Sequence, residues 1–264
     1  IPKNFDVIVA NPPYTRQEEI GDKKYKDEIR KVALTFDNKK VIDMSAKAGI
    51  YAYFFTHSAH FLKERGVMGY IVSNSWMDVD FGKDLQKFFL DNFKINSIIE
   101  FDKRAFEEAS INTVIIILEK LMGKENKNLR NNNLVKFVRI KKHLATEEII
   151  SLINKIDKSF ENKTAKVILK KQEELYEEDK WTKYLRAPEI VFDILKNKNI
   201  CELKEVADIN RAITTNANDF FVLSKEKAKE LGIESKYIKP VISSPRLIKT
   251  LELEPIDINE VIFM

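Results

Sequence analysis

The chain is poor in the residues that punctuate or cross-link a polypeptide, with seven glycines, seven prolines and one cysteine among 264 residues. A lone cysteine, Cys201, excludes an intrachain disulfide and any multi-cysteine zinc site, which fits a reducing, cytoplasmic setting. No run of about twenty apolar residues is present to span a bilayer and nothing resembles a signal peptide, so no membrane partner is expected. The glycines never fall as Gly-x-Gly, so the tight turn that lets a backbone approach a nucleotide closely is not encoded here. A surplus of one charge is lacking too. Lys and Arg number 45 against 41 Asp and Glu, net +4, a mixed surface that admits a nucleic-acid partner without identifying one. At 44% hydrophobic and 33% charged residues, the composition is that of a folded chain with a core, one large domain or one domain and part of another. Because the first residue is Ile1 rather than Met, the chain is expected to begin inside a longer gene product.

Apolar periodicity organises what remains. Phe5 to Ala10 is a nearly continuous apolar run stopped by Asn-Pro-Pro, as expected of a central strand buried on both faces of a parallel sheet. Residues 15–47 are polar and read as a long loop with one helix around Lys26 to Leu34. A helix is predicted over Ile50 to Lys63, ended by Gly66, then a strand over Val67 to Val72 and a helix over Asp84 to Asn92. Strands over Ile95 to Phe101 and Thr113 to Leu118 follow in close succession and suggest an antiparallel edge. This alternation is that of an α/β, doubly wound sheet, read as half of a Rossmann-like domain. After Gly123 the polar run Lys-Glu-Asn-Lys-Asn-Leu-Arg-Asn-Asn-Asn reads as an exposed loop and a boundary candidate. Beyond it come a strand over Leu134 to Ile140, a helix over Thr146 to Ile156 with Thr146 as N-cap, and a short helix over Pro188 to Lys196. The expected divisions are 1–122, a connecting α/β segment 123–180, and 181–264.

The tetrapeptide Asn11-Pro12-Pro13-Tyr14 carries the chemistry. Adjacent prolines are expected about once in 400 positions at average usage, and these follow a buried strand, at the carboxyl end where open α/β sheets bind ligands. Asn-Pro is also a common turn opener, the purely structural alternative. An exocyclic amino group on a purine is a poor nucleophile because its lone pair is delocalised into the ring. Two acceptors facing its two hydrogens make that pair available. Asn11 offers a side-chain carbonyl and Pro12 a backbone carbonyl in a segment stiffened by two pyrrolidine rings. Tyr14 offers a face on which an extruded base can stack, worth about 1 to 3 kcal/mol. No metal is required.

Phe5-Asp-Val-Ile-Val-Ala-Asn-Pro-Pro-Tyr14 resembles the catalytic motif of the gamma-class adenine-specific DNA methyltransferases of type II and combined (IIG-like) restriction-modification systems. The resemblance implies that Asn11, Pro12, Pro13 and Tyr14 form the catalytic motif, with the side chain of Asn11 and the carbonyl of Pro12 holding the amino group of a flipped adenine and Tyr14 stacking on it. It continues through Ile50 to Lys63, where Phe54 matches an aromatic that contacts the adenine of S-adenosylmethionine, the methyl donor. Gly69 to Trp76 is similar to the strand that follows. In Phe106 to Lys120 the leading Phe106 matches the residue that lies against the target base opposite Tyr14. Core packing is the competing role for Phe54 and Phe106. Trp181 to Pro188 and Ile209 to Leu223 look like the lead-in to a target recognition domain, although Ala212 and Thr215-Asn216 stand where the family usually has Gly and Thr-Gly.

The resemblance implies the C-terminal half of a Rossmann-like S-adenosylmethionine-dependent methyltransferase domain followed by the start of a target recognition domain. Double-stranded DNA is the implied partner, together with the rest of the same polypeptide or a restriction subunit. The family's glycine-rich cofactor motif precedes the Asn-Pro-Pro-Tyr segment, so most of the cofactor pocket is expected outside these residues and the chain alone is expected to be inactive. Arg186, Arg211 and Arg246 are candidate DNA contacts, since Arg is the usual bidentate partner of phosphates and guanines, or simply surface residues. His57 and His60 have a spacing that can support a metal, but with no acidic or cysteine partner nearby a helix face is the reading preferred. His143, after Arg139-Ile-Lys-Lys, belongs to a basic edge or a solvated strand end. Glutamine and RNA methyltransferases that share the tetrapeptide, and a non-catalytic DNA-binding subunit, are the alternatives.

Overall fold

The computed structural model describes residues 4–14, 22–36, 39–40, 42, 44–45, 48–102, 112–177, 180–197, 199–201, 203–208, 215–248, 250 and 252–263. The chain divides into two compact units, Ile1–Asn197 and Lys198–Met264. The first contains β1 (Phe5–Ala10), α1 (Lys23–Leu34), β2 (Thr35–Phe36), β3 (Lys39–Lys40), α2 (Ile50–Ala59), β4 (Leu62–Ser73), α3 (Asp80–Asn92), β5 (Phe93–Phe101) and β6 (Thr113–Lys120). It continues with α4 (Lys127–Asn131), β7 (Leu134–Ile140), α5 (Thr146–Lys155), β8 (Phe160–Glu161), β9 (Ala165–Lys171), α6 (Thr182–Arg186) and α7 (Glu189–Leu195).

Its sheet has the order β1-β4-β6-β5-β7-β9-β8. The pairs β1·β4 and β5·β7 are parallel, and β6 and β9 run against the other strands. This is a mixed α/β sheet with most strands pointing one way. Two expectations are corrected by it. β6 is not an antiparallel edge. After β5 the chain folds back between β4 and β5, pairing Ser73 with Thr113 on one side and Glu100 with Val114 on the other. Its alternating burial gives it side chains for the core on one face. β1 is not central either. Among the described residues it pairs with β4 alone, and Phe5, Val7 and Val9 are 43%, 58% and 78% exposed. Its apolar run is suited to burial on both faces, yet only one neighbour is in place to bury it.

Local chemistry moves several boundaries. The carboxylate of Asp22 accepts from the N–H groups of Lys24 and Tyr25 (2.8 and 3.3 Å), so α1 begins earlier than Lys26. α2 stops at Ala59, short of Lys63, with His60 as its C-cap, and Lys120 Nζ donates to the carbonyls of Ala59 and Leu62 (2.6 Å each), tying the helix end to the start of β4. The four residues then released form a bulge against β1, where pairing steps from Phe5–Leu62 to Val7–Val67 and Arg65 adopts φ 62°. The polar run after Gly123 is not all loop. It contains α4, whose Arg130 is buried and donates to the carbonyls of Leu121 and Gly123. At α5 the N-cap is Ala145, not Thr146, with Glu148 Oε2 accepting from the Ala145 N–H at 2.8 Å.

The core sits between the sheet and α2, α3 and α6. Phe55, Tyr70, Phe89, Trp76 and Trp181 form a chain of tilted and edge-on ring contacts at 4.7 to 5.7 Å. Each such ring contributes about 1.5 to 3 kcal/mol through burial. Residues 123–180 extend the same sheet through β7, β9 and β8. Trp181, Tyr184 and Leu185 lie in the same core, and the Trp181 N–H donates to Met77 O at 3.0 Å. A buried amide pins the register shift in β5: Gln172 Nε2 donates to Phe93 O (2.7 Å), while its Oε1 accepts from the Ile95 N–H (3.0 Å) and Asn133 Nδ2 (2.9 Å).

The second unit comprises α8 (Leu203–Val206), α9 (Asn218–Phe221), β10 (Val222–Ser224), α10 (Lys225–Glu230), β11 (Ile238–Pro240) and β12 (Glu260–Phe263). Its antiparallel sheet has the order β10-β12-β11, with Phe220, Phe221 and Phe263 in mutual ring contact at 5.0 to 5.4 Å.

Candidate active-site edge

Strand register brings the carboxyl ends of several strands, among them the one that carries Asn11 to Tyr14, to one rim of the sheet. Ala10 lies opposite Tyr70, so the Asn-Pro-Pro-Tyr segment emerges beside Ile71. Ser73 faces Thr113 and Phe101 faces Ile140. The carboxyl ends of β1, β4, β5 and β7 and the start of β6 therefore share a rim.

At that rim Asn11 and Pro13 are exposed, Pro12 is buried and Tyr14 half-buried. The proline ring after Asn11 holds it out of helical conformations. Tyr14 folds back over the segment, its hydroxyl donating to Asn11 Oδ1 at 2.7 Å, with Ile71 O more distant at 3.4 Å. Partial burial raises the Tyr14 hydroxyl's pKa above the ordinary tyrosine value, so it stays a donor through neutral pH. Asn11 Oδ1 retains a second lone pair for a further donor.

Phe54, on the outer face of α2, is 39% exposed and lines an open apolar groove of about 410 Å³ with Tyr25, Ile29, Val32 and Ile50. Phe106 and Arg211 lie outside the described residues. Arg246 is exposed in a turn of the second unit, Pro245–Leu247. His57 and His60 lie on one face with ring centroids 6.0 Å apart, and no group of three potential metal ligands occurs among the described residues. His143 and Cys201 are exposed. Among the described residues no helix is long and apolar enough to cross a membrane.

Arg186 is not a free surface arginine. Its Nε donates to both carboxylate oxygens of Glu100 (3.1 and 2.9 Å) and Nη2 donates to the same group, which also accepts from Asn74 Nδ2 at 3.2 Å. Glu100 is 3% exposed. This hydrogen-bonded carboxylate raises the pKa of Arg186 further. Beside it Arg139 Nε donates to Asp102 Oδ1 at 2.5 Å. Sequence reading missed Glu100 and Arg139 as site residues. The available signal was a carboxylate at the end of the otherwise apolar Ile98-Ile99-Glu100-Phe101, where burial demands a partner.

The fold is thus a mixed, mostly parallel α/β sheet with Asn-Pro-Pro-Tyr at the carboxyl end of β1. Residues 2–106 match the Eco57I restriction-modification methylase family and residues 178–262 match the C-terminal domain of the type II methyltransferase M.Eco57I. The chain thus carries two segments that match models of Eco57I-type restriction-modification methylases. It is 25% identical over 248 residues to the type II methyltransferase M.AccI of Acinetobacter calcoaceticus, covering 93% of this chain and 42% of that protein. It is 35% identical over 99 residues to M.BstVI of Geobacillus stearothermophilus, covering 38% of this chain and 16% of the relative. The chain thus spans less than half the length of these relatives. The structure of the type IIG restriction endonuclease BpuSI has the same fold, with a TM-score of 0.55 and 17% identity over 94% of this chain and 30% of that one.

Proposed function

We propose that this chain is the target-base-holding part of a site-specific adenine DNA methyltransferase, which transfers a methyl group from S-adenosylmethionine to the N6 amino group of an adenine flipped out of duplex DNA. The observation that carries the reading is the placement of Asn11 at the carboxyl rim, exposed, with the ring of Tyr14 folded beside it. A flipped adenine entering here meets the Asn11 carbonyl and the Pro12 carbonyl as acceptors for its two amino hydrogens. Holding both in place aims the nitrogen lone pair away from the ring plane. S-adenosylmethionine, when bound, supplies a methyl on a cationic sulfur, so that the N–C bond forms as the C–S bond breaks. The nitrogen's extra proton passes to water. The aromatic groove at Phe54 takes the purine of that donor, and Tyr14 with Phe106 takes the two faces of the target base. Residues 198–264, with Arg211 and Arg246, belong to target recognition on this reading.

The test is Asn11→Ala in the longest protein that contains this chain and methylates DNA. Single-turnover methyl transfer falls about 100-fold or more while DNA affinity changes little. An unchanged rate removes Asn11 from the mechanism.

A further inference from the structure

The rim continues past the Asn-Pro-Pro-Tyr segment into a polar recess of about 360 Å³ lined by Glu100, Asp102, Asn112, Thr113, Arg139 and Arg186. It lies across β4, β6 and β5 from β1, about 14 Å away at ordinary strand spacing. Its hydrogen-bonding capacity is lopsided. Both oxygens of Glu100 are taken by Arg186, one also by Asn74, and Asp102 Oδ1 is taken by Arg139. On the two guanidiniums, Arg139 spends only Nε and Arg186 only Nε and Nη2 on acceptors among the described residues. Arg139 and Arg186 line the recess alongside Asn112 and Thr113, and on each guanidinium some N–H groups have no acceptor among the described residues. The guanidinium N–H groups favour a ligand that offers acceptors.

We propose that Arg139 and Arg186 form a clamp for one phosphodiester of the DNA strand that carries the target base, an inference that rests on the DNA-methyltransferase reading above. Each guanidinium is fixed by a carboxylate before any ligand arrives, so little side-chain freedom is lost on binding. The two carboxylates cancel the charge of the two arginines. That argues against a free multivalent anion and for a singly charged group delivered by a longer chain held elsewhere. In this geometry the clamp sets the position of the strand, and sequence is read by other residues.

The experiment follows the arginine Nε–Hε resonances of the 264-residue chain while the dinucleotide TpT, a minimal phosphodiester, is added to millimolar concentration, with thymidine as the phosphate-free control. The expected result is a joint shift of the Arg139 and Arg186 signals with TpT, none with thymidine, and loss of the Arg186 shift in Arg139→Gln. Asp102 is part-exposed and can be hydrated when its partner is lost, and an unchanged melting temperature of Arg139→Gln checks that the variant folds. In duplex binding Arg139→Gln weakens affinity about 5- to 10-fold and lowers the slope of log K against log salt by about 1. Arg139→Lys keeps the charge without the fork and restores only the slope. Silent arginine signals, or equal shifts with thymidine, overturn the clamp. Silent arginines in a protein that still methylates adenine remove the clamp alone. Shifting arginines in a protein that methylates nothing remove the methyltransferase reading alone.

Discussion

Replacing Tyr14 by Phe separates the two things this residue is placed to do. The ring can stack on a base, whereas the hydroxyl occupies Asn11 Oδ1 at 2.7 Å, the atom proposed to accept from the adenine amino group. A hydrogen bond of this kind is worth about 0.5 to 1.5 kcal/mol net, and an exposed one sits toward the lower end. Removing it leaves the stacking face intact and frees the Asn11 lone pair. Tyr14→Phe should therefore hold the target amino group about two- to tenfold better, read as a faster single-turnover rate in a methylating protein that contains this chain. Tyr14→Ala should do the opposite, losing about 1 to 3 kcal/mol of stacking. A 2-aminopurine at the target position distinguishes them, since its fluorescence stays quenched by a covering ring in Tyr14→Phe and brightens in Tyr14→Ala. If Tyr14→Phe slows methyl transfer tenfold or more with normal quenching, the hydroxyl takes part in the reaction and the competition argument is wrong.

Three further outcomes concern the scaffold. Burial pushes the Tyr51 hydroxyl up to about 12, so folding keeps it protonated where the unfolded chain ionises. The stabilisation is complete below pH 10 and is lost as pH rises toward 12, about 2 to 3 kcal/mol, and Tyr51→Phe should flatten that decline in urea melts taken across the range. Gly82→Ala should destabilise by about 3 kcal/mol or more in the same melts, because the new Cβ falls 1.7 Å from the carbonyl oxygen of Trp76, a backbone atom with nowhere to go. A change under about 0.5 kcal/mol would show that the turn at Trp76 gives way freely. Gln172→Leu strands the Phe93 carbonyl and the Ile95 N–H and should cost about 2 kcal/mol or more, with amide exchange accelerating first at Ile95.

Legibility in the sequence followed the range of the forces involved. β1 and β7 were readable to the residue because an apolar run stopped by Asn-Pro-Pro, and an alternating stretch, are local signals. The C-terminus of α2 was not, since the Ala59 carbonyl is taken by Lys120, sixty-one residues further along the chain. Insertion of β6 between β4 and β5 was hidden for a similar reason. Close succession of two strands predicts that they pair, and says nothing about which strand takes the other side. In the site, Asn11, Pro12 and Tyr14 were visible because their chemistry is contiguous. Arg186 was singled out as a cation, but its partner Glu100 lies eighty-six residues away and only the sheet brings them together. The exposure of β1 contradicts a pattern suited to burial on both faces, a property of neighbours rather than of the strand.

The anchoring of Trp181 bears on how such proteins can be recombined. The matched C-terminal domain starts at residue 178, yet the first compact unit runs to Asn197. Between them Trp181, Tyr184 and Leu185 fill the core and Arg186 neutralises a buried carboxylate. An exchange of recognition segments between relatives cut at 178 would import a foreign tryptophan environment and a foreign partner for Glu100. One cut after Asn197 would carry across only residues that fold on their own side of the boundary. The difference between the two cuts would be read first in the melting temperature of the chimaeras, as a cost of disturbing a core rather than of joining two segments.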